Sequence, residues 1–132
     1  MRKTELTKEQ QKKFKWLMKA DTVDEDVKVS KFGGLIWEDG IWKNGIWEDG
    51  IWENGTWENG IWKWGVWEYG IWKSGVWECG VWEDGTWEYG IWKGGIWKNG
   101  TWKGGEMWSN LKQKYIHVKW DEDKEEFEEG LK

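Results

Sequence analysis

The chain has 132 residues and a net charge of −5, with 18 Trp and 19 Gly but no Pro, a single Ala (Ala20) and a single Cys (Cys79). One cysteine excludes both a disulfide framework and a thiolate metal cluster within the chain, and it suits a reducing compartment. Apolar residues occur only in short runs and Met1-Arg2-Lys3-Thr4 lacks the apolar stretch of a signal peptide, so a soluble, cytoplasmic protein is expected.

Charge is polarised along the chain. Residues 1–20 carry seven cations against Glu5 and Glu9, while residues 121–132 carry seven acids against Lys124 and Lys132, so the two ends are +5 and −5. Thr7-Lys8-Glu9-Gln10 is a capping box, and Phe14, Leu17 and Met18 follow on one side. Residues 7–20 are therefore predicted as an amphipathic helix covering the open end of whatever follows. With the acidic linker 21–26 it forms a cap over 1–26.

Trp then recurs every five residues from Trp37 to Trp102, fourteen times without a slip, and Gly recurs in phase from Gly40 to Gly105. The unit is (Ile/Val/Thr)-Trp-(Glu/Lys)-x-Gly. β-Branched and aromatic residues suit a pleated surface, whereas Gly every fifth residue would cost about 1 kcal/mol each in a helix, so the unit is read as a short strand and a corner. Alternate side chains point to opposite sides. Trp must face inward, because the other side carries a charge in every unit. Val27, Phe32 and Met107 continue the phase, which extends the predicted repeat to 27–107.

Two corners are compatible with x-Gly. Nine of the fourteen x residues are Asn, Asp or Gly, as a type I′ hairpin prefers, and such turns would give an antiparallel meander with one open Trp face. The others, Trp64, Tyr69, Ser74, Cys79 and Tyr89, do not accept positive φ cheaply; a type II corner needs it only at Gly and coils the chain into a closed tube of parallel layers.

The pentads Gly-Ile-Trp-Glu-Asn resemble the pentapeptide-repeat family, with a large apolar residue at the centre and a small one two positions earlier, over about 35–107. The resemblance implies a right-handed, four-sided β-solenoid. The chain departs from that family in having Trp for Leu or Phe, Gly for Ala, and Ile, Val or Thr where Asp or Asn is usual. Charge ladders point elsewhere: fifteen-residue coils would stack eight opposite and three like pairs, twenty-residue coils four opposite and six like. Four sides are still expected, since a fifteen-residue triangle leaves little room for three indoles and exposed pairs contribute only tenths of a kcal/mol. The fold class expected is all-β, a single-domain solenoid with short helical caps, the meander being the alternative.

Beyond the repeat, 108–132 is assigned to a C-terminal cap. Tyr115 to Trp120 alternates as a strand with Ile116, Val118 and Trp120 inward, and Asp121 would cap a last helix over 122–129, ended by Gly130.

With His117 the only histidine and Cys79 the only thiol, no nucleophile and base pair can be built, and the Gly spacing matches no phosphate-binding loop. No catalytic residue, metal or cofactor is expected, and neither a membrane nor a nucleic acid is an expected ligand. What departs from an ordinary surface is the outward column of Ile, Val and Thr together with corner aromatics. Ile51, Ile71 and Ile91, expected to share one face, and Trp64, Tyr69 and Tyr89, the last two expected to stack, form the candidate interaction surface. The expected role is a structural or protein-interaction module that presents flat β faces to a protein partner or to its own copies. Similar Trp-rich runs occur in uncharacterised tailed-phage proteins, a resemblance that implies a host-cytoplasmic or virion setting. The alternatives are an acidic DNA mimic that occupies a DNA-binding enzyme, and carbohydrate binding, which requires the Trp face to be open.

Overall fold

From Ile46 to Trp102 each β-branched residue and the Trp after it form a two-residue strand, its indole inward and its β-branched side chain outward, as alternation along extended backbone requires. In the computed structural model, which describes residues 1–130, these strands close into a β-solenoid. Two short helices, α1 (Lys8–Lys13) and α2 (Lys15–Lys19), precede β1 (Asp21–Val29) and β2 (Leu35–Asn44). Twelve two-residue strands, β3 to β14, follow at five-residue intervals from Ile46–Trp47 to Thr101–Trp102. The chain closes with β15 (Glu106–Ser109), β16 (Lys114–Asp121) and β17 (Glu126–Glu129).

The register decides the number of sides. Trp37 pairs in parallel with Trp52, Trp42 with Trp57 and Trp47 with Trp62, and the interval stays at fifteen residues as far as Trp82 with Trp97 and Trp87 with Trp102. The tube is therefore three-sided, not four-sided, and parallel pairing excludes the meander. The first face carries Ile36, Ile51, Val66, Val81 and Ile96; the second Ile41, Thr56, Ile71, Thr86 and Thr101; the third Ile46, Ile61, Val76, Ile91 and Glu106.

Three indoles fit within a layer because they stand edge to face, each lying flat on the indole of the next layer. Trp67 meets Trp62 and Trp72 at 5.9 Å with planes 71° and 73° apart, and stacks on Trp52 at 4.7 Å and Trp82 at 4.8 Å with planes 6° apart. Both are favoured aromatic geometries, and the stacking distance matches the ~4.8 Å spacing of neighbouring strands, so backbone and core share one period. Eleven Trp, from Trp37 to Trp87, are 0% exposed.

The corners make no hairpin bond of their own. Their hydrogen bonds run to the layer before, as when Val66 N–H donates to Gly50 O at 3.0 Å and Glu68 N–H to Trp52 O at 2.7 Å. At these corners only Gly is at positive φ, +124° at Gly70, while every x residue stays at ordinary φ, so the type I′ turn is excluded. Asp or Asn at x has a different use: Asp39, Asn44, Asp49 and Asp84 each accept the N–H of the following Gly at 2.8–3.0 Å. The indole N–H groups divide by column. In the second and third stacks Trp47, Trp57, Trp62, Trp72, Trp77 and Trp87 reach a corner carbonyl seventeen residues on, as Trp72 does to Tyr89 O at 3.1 Å and Trp62 to Cys79 O at 3.2 Å, whereas Trp37, Trp52, Trp67 and Trp82 of the first stack, and Trp42 at the start of the second, have no acceptor.

Both ends are closed by aromatic side chains. Thr7 and Gln10 form the predicted capping box, but the helix breaks at Phe14 into α1 and α2, which buries Phe14 and Leu17 and sets Trp16 over Trp47 at 5.0 Å. The predicted start of the repeat at residue 27 is corrected: β1 runs antiparallel along β2, with Val27 opposite Trp37, and Phe32 points into solvent at 88% exposure. Met107 does continue the phase, pairing with Trp92. At the far end β16 turns Ile116, Val118 and Trp120 toward the core as predicted. The predicted helix over 122–129 is instead a turn over 122–125 followed by the strand β17. Its one apolar residue, Phe127, packs edge-on against Trp102 at 4.8 Å and Trp97 at 5.7 Å, cover that a short acidic helix could provide only by leaving the β16 edge unpaired. Asp121 closes the β16–β17 turn, accepting the N–H groups of Lys124 and Asp123 at 3.0 Å, bonds that hold its carboxyl below the ordinary range. Leu131 and Lys132 of the predicted cap lie outside the described residues.

Candidate interaction surface

Outside the tube each face repeats one apolar rank and one charged column. Most of the apolar rank is half-buried, with Ile46, Ile71 and Ile96 more open. Because the coil has fifteen residues, positions twenty apart fall on successive faces. Ile51, Ile71 and Ile91 accordingly lie on the first, second and third faces and do not form one surface. Trp64, Tyr69 and Tyr89 are exposed by 54%, 57% and 50%, each along a different corner, so Tyr69 and Tyr89 do not stack. The ranks of each face are real, but their membership differs from the expected one.

The charged columns differ among the faces. The second reads Lys43, Glu58, Lys73, Glu88, Lys103 and the third Glu48, Lys63, Glu78, Lys93, both alternating. The first reads Glu38, Glu53, Glu68, Glu83, Lys98, with Lys98 3.7 Å from Glu83 and Glu38 paired with Lys28 of β1 at 3.3 Å. This acidic stripe was missed because a twenty-residue coil scatters its members; the fifteen-residue charge ladder contained it. Burial raises the carboxyl pKa of Glu68, and the neighbouring charges of Glu53 and Glu83 raise it further. The folded chain therefore binds more protons at Glu68 than the unfolded chain just above the ordinary carboxylate range, and stability falls as pH rises through that window. Glu68→Gln is expected to stabilise by about 0.5 kcal/mol or less near pH 7 and to change nothing near pH 3, by denaturant titration.

Groups with chemical potential are dispersed. Cys79 is a half-buried corner residue, and His117 sits in β16 opposite Glu106. Among the described residues no three His, Cys, Asp or Glu side chains converge on a point that could hold a metal ion. No helix among them is long and apolar enough to cross a membrane. Glu25, 7% exposed, is engaged in the fold: its carboxylate accepts the Lys3 N–H at 3.0 Å and the Thr22 hydroxyl at 2.9 Å. A shallow dent lies where the first cap meets the third face, lined by Trp16, Ala20, Gly45 and Ile46 and edged by Lys15, Lys19 and Glu48. Comparison with protein-family models, curated proteins and solved structures finds no match.

Proposed function

We propose that this chain is a non-enzymatic structural or protein-interaction module, a short rod that offers flat β faces to a protein partner or to its own copies. The observation that supports this reading is the alignment of β-branched side chains into three parallel ranks outside a core already filled by Trp. Those ranks add nothing to the tube interior, and aligned apolar surface on this scale marks interaction sites. The pentads' resemblance to pentapeptide repeats is in keeping with a scaffold, and the likeness of the Trp run to tailed-phage proteins suggests a virion or host-interaction setting. Side-chain oxidation footprinting tests the reading. In an extract of the cells that make the protein, at least one rank is expected to be protected relative to the dilute purified chain; identical labelling of all three ranks would overturn it.

A second reading gains support from the first face. Four Glu in line at ~4.8 Å make a stripe of one sign, as a polyanion mimic of a DNA-binding enzyme's substrate requires. Its mark would be salt-sensitive binding to a cationic protein, lost in Glu53→Lys. Carbohydrate binding loses the open Trp face it needed, because the indoles are enclosed.

A further inference from the structure

We infer that the third face is a homodimerisation surface on which two copies lie antiparallel; this rests on the interaction-module reading and names the face and the partner. Two symmetric ways exist to lay the same face on itself. A two-fold axis along the tube sets each apolar rank on the other copy's charged column. An axis across the tube sets rank on rank and column on column, with the order of layers reversed.

Reversal tests each column for self-complementarity. On the third face it brings Glu48 of one copy to Lys93 of the other and Lys63 to Glu78, so every charge meets its opposite. On the first face the same axis sets Glu38 against Glu83 and Glu53 against Glu68, like against like. On the second face the same axis sets Lys43 against Glu88 and Glu58 against Lys73, so charge alone does not exclude that face. Apolarity excludes the second face. Thr56, Thr86 and Thr101 interrupt its rank, whereas Ile46, Ile61, Val76 and Ile91 on the third face are apolar as far as Glu106, and Ile36, Ile51, Val66, Val81 and Ile96 on the first are apolar throughout, so charge decides between those two.

The end layers agree with this arrangement. One layer beyond Ile91, at the position of the charged column, stands Trp108, outward and 45% exposed. Under the same axis it falls opposite the other copy's first cap, where the dent of Trp16, Ala20 and Ile46 lies between Lys15 and Lys19. Each copy thus supplies one exposed indole and one recess, twice per dimer. The face is small. Six layers by one short strand measure about 24 Å by about 10 Å, below the ~800 Å² per partner of tight complexes, so dissociation at roughly 10–100 μM is expected.

The test is sedimentation of the purified chain across that concentration range, with near-UV circular dichroism confirming that each variant keeps its Trp core. Lys63→Glu sets like charges at two symmetric places and is expected to weaken the dimer about tenfold or more. Lys63→Glu combined with Glu78→Lys restores opposition across the axis and should restore the dimer. Lys73→Glu on the second face should leave it unchanged, and Trp108→Ala should weaken it. A monomer throughout, or a failed charge swap, overturns the inference. So does a dimer sensitive to Lys73→Glu but not to Lys63→Glu, which would locate the contact on the second face. In each case protection in the footprinting experiment decides separately whether the module reading stands.

Discussion

Replacing Trp67 with Ala is expected to destabilise the protein by about 3–5 kcal/mol in a denaturant titration, the range found for removing a large aromatic from a packed core. The indole is 0% exposed, stacks on Trp52 and Trp82 and meets Trp62 and Trp72 edge-on, so its loss opens a gap that four rings cannot close without breaking the common period of stack and backbone. Trp72→Ala should cost about 1 kcal/mol more, because it also strips the Tyr89 carbonyl of its indole donor, whereas Trp67 has no such bond to lose. A loss under about 1 kcal/mol at Trp67 would mean that the stacked indoles are not the core. Because each coil touches only its neighbours, a vacancy in the middle can also divide the transition in two, so both midpoint and slope should be read.

Gly70→Ala is expected to be nearly as damaging, although it adds only one methyl group. At φ +124° an L side chain is strained, and its Cβ would lie 2.3 Å from the carbonyl oxygen of Gly55 in the layer before. Strain of this kind costs about 1–3 kcal/mol before the clash is relieved, and relief means parting two layers held by backbone hydrogen bonds. Gly94 provides the contrast. It occupies an x position without positive φ, and an added Cβ would approach nothing closer than Glu78 O at 3.4 Å. Gly94→Ala should therefore be neutral or stabilise by up to about 1 kcal/mol, by restricting the unfolded chain. Equal loss at both positions would show that the corner does not depend on glycine's conformational freedom.

The pentad carried most of the fold openly. Trp faces inward because the residue after it is charged, Gly marks the corner, and the choice of parallel coils over hairpins rested on Trp64, Tyr69, Ser74, Cys79 and Tyr89, which the structure does keep at ordinary φ. The number of sides was less legible. Room for three indoles depends on their tilt within a layer, which a one-dimensional pattern does not contain, and the family resemblance pointed to four. The alternation of Lys43, Glu58 and Lys73 held the right answer, though in pairs individually worth little. That one choice assigned Ile51, Ile71 and Ile91 to a common face and hid the Glu38 to Glu83 stripe. At the termini, β1 and β17 escaped detection because a strand that closes the end of a tube answers to the layer it covers, as Val27 answers to Trp37 and Phe127 to Trp102, rather than to its own periodicity.

The three-sided coil also constrains how this sequence can change in length. Residues are written in fives but are placed in fifteens, so the fold has a reading frame. Gaining or losing one pentad leaves every later Trp inward and every later Gly at a corner, yet turns all later outward residues on to the next face. The glutamate stripe would be cut and the alternating columns spliced to foreign partners. The β15–β16 hairpin and the Phe127 lid would keep their places on Ile91, Trp97 and Trp102 but be carried around the tube with them, on to a different face relative to the first cap. Only a change of three pentads preserves the surface together with the core. The tube can lengthen by single pentads at little cost to its interior, but a partner reading its outside would recognise only whole coils.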